Sequence, residues 1–168
     1  MNFARKTSAQ GAMFIATAAV LVVLAQNAGA QTTARHTVTV QVSPITVVQV
    51  SGGTVNLNVT NAVAAAGQNT MTVTDQSTSL LWGVNSSTRK ITVSTSLAAP
   101  HFTLKILALN PTQGTAAPEI TLSTAPQDFL LGIGRSTGTC SLRYTGVALA
   151  SQGTGNDVHV ITFTVSAQ

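Results

Sequence analysis

Few side chains of this chain can do chemistry: His36, His101 and His159, the single Cys140, and the carboxylates Asp75, Glu119, Asp128 and Asp157. A zinc site needs three or four convergent N, S or O ligands. No two of the histidines fall at a short ligand spacing, and no His-Glu-x-x-His run exists. One cysteine closes no internal disulfide and makes no thiolate cluster. Cys140 beside a histidine would make a nucleophilic pair. However, Cys140 alternates in phase with Leu142 and Tyr144, which turns the thiol toward a core, where free cysteine behaves as a small hydrophobe. The alternative is that an unpaired thiol in an exported protein bridges two chains.

Glycosidases need two carboxylates at a set separation. Here the four acids are scattered, each near turn residues, where Asp commonly bonds its own backbone. Gly132-Ile133-Gly134 and Gly153-Thr154-Gly155 have no helix pattern behind them, and a phosphate cradle needs that helix N-terminus. The residues therefore read as those of a non-enzyme, with no catalytic set, no metal and no cofactor.

The elements that position these residues begin after a targeting segment. Arg5 and Lys6 precede an apolar, uncharged run from Met13 to Ala25, followed by Ala28-Gly29-Ala30. That is the layout of a secretory signal peptide. The apolar run is shorter than the ~20 residues that span a bilayer, so no stable membrane span is expected after cleavage. Residues 1–30 read as the signal peptide, and 31–168 as one domain exported through the secretory pathway to periplasm, cell surface or medium. Charged residues make up only 7% of the 168-residue chain. Without Arg5 and Lys6, the bases Arg35, Arg89, Lys90, Lys105, Arg135 and Arg143 nearly balance the four acids. No basic patch for nucleic acid remains.

Beyond residue 31 the recurring period is two. Thr37–Val42 and Thr54–Thr60 alternate polar and apolar at every position, and such alternation describes half-buried strands. Thr and Val dominate, and both suit a pleated surface. Further strands are expected at Ile45–Val50, Thr70–Thr74, Ser79–Val84, Lys90–Ser96, His101–Ala108, Glu119–Ser123, Gly138–Ala150 and Asp157–Ser166. The five prolines all fall between them. In Gly138–Ala150 the apolar parity changes at Gly146, and a β-bulge near Thr145-Gly146 would restore it.

The fold class is all-β: an Ig-like antiparallel β-sandwich of Greek-key type with about 8–10 short strands. Its expected core is Val55, Leu57, Val59, Leu80, Trp82, Ile91, Val93, Phe102, Leu104, Ile106, Leu142, Tyr144, Ile161, Phe163 and Val165. Trp82 would anchor it between the sheets.

The surface is rich in Thr, Ser, Asn and Gln, with few Lys or Glu to guard an edge strand. Thr37–Val42 can pair within its own domain or complete a neighbour's sheet. The residues assigned to strand pairing are Val38, Val40 and Val42 at one end and Ile161, Phe163 and Val165 at the other.

The signal peptide, the alternating N-terminal strand and the alternating final strand resemble bacterial fimbrial (pilin-type) subunits and spore-coat-U-like proteins. Gly155, fourteenth from the C-terminus, followed by Ile161, Phe163 and Val165, is similar to the ending by which a periplasmic chaperone handles pilins. Two features depart from that pattern: no internal disulfide is available, and Ala167 stands where pilins carry a penultimate aromatic. The resemblance implies a structural or adhesive cell-surface subunit, with itself, related subunits and a periplasmic chaperone as partners. The alternative is an extracellular module that binds a carbohydrate or protein ligand. Sugar platforms need exposed aromatics, and Phe129 or Trp82 would have to supply them.

Overall fold

The computed structural model describes residues 33–60 and 62–168; the expected signal peptide lies outside them. Two units separate, one ending at Val40 and the other spanning Gln41–Gln168. Residues 33–40 contain no helix, strand, turn or bend, and all are exposed.

Within the second unit, nine strands are present among the described residues. They are β1 (Thr46–Ser51), β2 (Thr70–Val84), β3 (Arg89–Thr95), β4 (Thr103–Leu109), β5 (Thr115–Ala116), β6 (Ile120–Thr121), β7 (Gln127–Ile133), β8 (Ser136–Leu149) and β9 (Ile161–Ala167). One sheet has the order β1-β2-β8-β4-β6 and the other β5-β7-β3-β9. Every pairing is antiparallel. The result is the expected all-β, two-sheet sandwich.

The inner faces of both sheets meet in one cluster of buried side chains. Leu80, Trp82 and Val84 of β2 and Cys140, Leu142 and Tyr144 of β8 come from one sheet. Ile91 and Val93 of β3 and Phe129, Leu130 and Ile133 of β7 come from the other. Alternation along β2, β3 and β8 places their residues inward. Trp82 is buried as expected, and its indole lies over Gly138 on the neighbouring strand. A Cβ at Gly138 would come within 2.4 Å of the ring carbons, so this cross-strand position has room only for glycine.

Several expectations are corrected. Thr37–Val42 is not a strand; Val38, Val40 and Val42 are 71%, 82% and 69% exposed. Alternation supplies a face but no partner, and an unpaired extended segment gains neither ladder bonds nor burial to offset its lost backbone entropy. Thr54–Thr60 joins neither ladder. Its alternation survives as burial, with Val55, Leu57 and Val59 half-buried between exposed neighbours. Leu57 packs against the position of Gly146.

The anticipated break in β8 is absent. Cys140, Leu142, Tyr144 and Ala148 are buried in one unbroken phase. The extra residue sits in the partner strand, where the β2–β8 register shifts between Asp75 and Thr78. There the Asp75 carboxylate accepts from the Ser77 N–H at 2.9 Å and its hydroxyl at 2.7 Å. That local bond folds the surplus residue out of the ladder. Thr70–Thr74 and Ser79–Val84 are thereby two halves of one strand.

Strand β7 was not expected, because Phe129-Leu130 breaks any period of two. The β3–β7 register shifts on both sides of Ile91. The shift turns both Phe129 and Leu130 inward, so Phe129 is core rather than surface, at 1% exposure.

Candidate functional site

Each of the four carboxylates is engaged by its neighbours. Glu119 receives Arg143 at 3.3 Å, Lys105 at 3.7 Å and the Thr145 hydroxyl at 3.4 Å. Asp128 pairs with Lys90 at 2.7 Å. Asp157 accepts the Phe102 N–H at 2.8 Å, tying the approach to β9 to the start of β4. The bonds from Ser77 hold the Asp75 carboxyl below its usual range.

The His101 ring bonds the Gln152 carbonyl at 2.8 Å, while His159 Nδ1 lies 2.9 Å from the hydroxyl of buried Thr95. Burial pushes the His159 pKa down, and nearby Asp157 partly opposes this. His36 is exposed in the N-terminal unit. Among the described residues, no three His, Cys, Asp or Glu side chains come together to hold a metal. Cys140 is buried, and burial raises its thiol to about 11. Burial, with Asp75 nearby, lifts Tyr144 to about 12. A thiol this basic and enclosed is a poor nucleophile at neutral pH.

One spacing overlooked in the sequence is Gly134-Arg135-Ser136-Thr137-Gly138, a Gly-x-Ser-x-Gly run. A nucleophile elbow requires a strand-to-helix turn. Here Ser136 opens β8 directly after the link from β7, and its hydroxyl bonds the Gly134 carbonyl at 3.3 Å. Exposed aromatics for a sugar platform are also missing at the two positions considered: Trp82 and Phe129 are both core.

What the fold gathers instead is an open edge. Among the described residues, strand β9 stands at the end of its sheet and pairs on one side only, with β3. Its inward residues Ile161, Phe163 and Val165 share one face and are only half-buried. They border the core, and Phe163 sits 5.5 Å from fully buried Phe129, ring centre to ring centre. Across from β9 lies β1, the end strand of the other sheet. Between them runs an open groove of about 240 Å³ lined by Val48, Gln49, Val50, Ile161, Thr162 and Phe163.

This edge collects exposed apolar side chains: Val47 and Val50 on β1, and Val158 and Val160 on the lead into β9. Neither β1 nor β9 contains a charged residue or a proline, two of the devices that blunt an edge strand. Of the residues assigned to pairing from sequence, the structure brings Ile161, Phe163 and Val165 together on this edge. It leaves Val38, Val40 and Val42 exposed and unpaired among the described residues. The exposure of Val158 and Val160 was not foreseen, although both stand in the outward phase of the same alternation.

No protein-family model matches this chain, and no curated protein or solved structure matches it.

Proposed function

We propose that this chain is an exported, non-enzymatic structural or adhesive cell-surface subunit that assembles by strand pairing. Thr37–Val42 of one copy lies along the open side of β9 in another. Val38, Val40 and Val42 then cover Ile161, Phe163 and Val165, while the backbone groups on the free side of β9 gain partners. A periplasmic chaperone would cover the same edge before assembly.

The observation that carries this reading is the half-covered core at β9, matched by an alternating segment of the same chain that has no partner among the described residues. The strand order supports it. In an immunoglobulin-like order, A-B-E-D faces C-F-G. Here β1-β2-β8-β4 takes the first four places and β3-β9 takes C and F. The place after F is where the incoming strand would lie.

The test is the native mass of Gln31–Gln168, recovered from envelope or medium and measured by light scattering without heating. A high-mass series that disappears on deleting Gln31–Val42, with the sandwich still folded by circular dichroism, is the expected result. A monomer at all concentrations that unfolds on the same deletion overturns the proposal.

A further inference from the structure

If Thr37–Val42 is a pairing strand, two occupants compete for it: the β9 edge of its own chain and that of a second copy. The residues just before β1 bear on that choice. At the end of β2, the Asn85 N–H donates to the Ile45 carbonyl at 3.2 Å, continuing the β1–β2 ladder by one residue. Its side-chain amide then takes over. Oδ1 accepts the Ile45 N–H at 2.5 Å, and Nδ2 donates to the Ser43 carbonyl at 2.9 Å. One half-buried side chain thus holds both neighbours of Pro44, which has no N–H of its own to offer.

Topology fixes what self-pairing would require. The end of β9 at Ala167 lies beside Arg89, and Gln168 bonds Thr88. The start of β1 lies opposite Val84. Both ends therefore flank the same turn, Asn85–Thr88. For Thr37–Val42 to run along its own β9, the chain would have to reverse within Ser43–Ile45. Two-residue hairpin reversals take positive φ, which Pro44, fixed at about −65°, does not adopt. A type I turn accepts Pro at its second position and closes on the carbonyl of the residue before it, but the Asn85 amide already occupies the Ser43 carbonyl and the Ile45 N–H. Residues 41–45 accordingly show neither turn nor bend.

We infer that Asn85, acting with Pro44, is a positioning residue that denies Thr37–Val42 to its own domain and commits it to a second copy of this chain. The inference rests on the assembly reading above.

The test compares wild-type Gln31–Gln168 with Asn85→Ala and with Pro44→Gly, again by light scattering. Releasing the clasp is expected to lower the high-mass fraction severalfold. It should also raise a monomer whose thermal stability drops when Thr37–Val42 is deleted, the signature of a self-paired strand. Pro44→Gly keeps the test open if Asn85→Ala does not fold. Variants that assemble as the wild type does overturn the clasp and leave the assembly reading standing. A wild-type chain that never assembles overturns both.

Discussion

The two ends of the first sheet manage their edges in opposite ways. At the β4–β6 end, Ile120 and Leu122 are buried, and Lys105, Glu119 and Arg143 form a charged cluster on the outer surface. Charge at an edge makes pairing with a foreign strand costly, because it would have to be desolvated or repelled. Strand β1, and β9 at the end of the facing sheet, contain no charged residue, and their inward side chains are half-covered. One fold thus carries a guarded edge and an unguarded one. The contrast teaches that sparse charge is distributed here, not merely scarce.

The widest gap between the closed interior and the open edge should appear in two phenylalanines of the same cluster. Phe129→Ala is expected to cost ~3–5 kcal/mol in urea unfolding of the monomer, as full burial implies. Phe163→Ala should cost roughly half as much, in proportion to the area it removes from water. It should nonetheless abolish the high-mass species. Equal costs for the two would break the comparison.

Next in size is Gly138→Ala. The added methyl meets the Trp82 indole, and overpacking of this kind costs ~1–3 kcal/mol. A neutral result by the same unfolding measurement would mean that the indole can move aside.

A smaller effect follows from His159 at the entry to β9. Its pKa is lowered on folding, so between its folded value and the ordinary value of about 6.5 the unfolded chain binds more protons. Stability is then present in full above about pH 6.5 and falls as the pH drops through that window. The urea midpoint measured against pH should decline below this point in the wild type, and His159→Gln should flatten the decline. An unchanged slope in the variant would place its cause in another group.

The smallest effect is expected outside both cores. Val158→Thr with Val160→Thr removes exposed apolar surface, and each should change monomer stability by no more than about 0.5 kcal/mol. A larger loss would show that this lead-in packs more tightly than its exposure suggests.

Much of the fold could be read in advance where one rule governs a segment. Alternation located β3, β4, β8 and β9 to within a few residues, because a half-buried strand writes its period directly into the chain. Reading failed where a bulge altered the count. Phe129-Leu130 has no period of two, yet both face inward because the β3–β7 register slips there. The parity change at Gly146 marks no bulge: β8 keeps its register through Thr145 and Gly146, and the irregularity in its pairing with β2 lies on the other strand, at Asp75–Thr78. A bulge belongs to a pair of strands, so one strand's sequence cannot say which partner holds it. The open edge was half visible. The alternation of Ile161, Phe163 and Val165 marked a strand, but nothing local said that its other side would lack a neighbour.

By itself the sequence determined the class of structure, an all-β chain with a Thr- and Val-rich pleated surface and almost no charge. It did so because periodicity and composition are local properties that water sorts by burial. Parity with Leu142 and Tyr144 pointed Cys140 inward against the alternative of a thiol shared between chains, and the structure buries it. Only the tertiary structure decided that Thr54–Thr60 packs without a ladder, that Thr37–Val42 has no strand partner among the described residues, and that Asn85 grips the chain on either side of Pro44. Each of these depends on which distant segment supplies or withholds a hydrogen-bonding partner. That choice is made over separations of 40 residues or more, beyond the reach of any pattern along the chain.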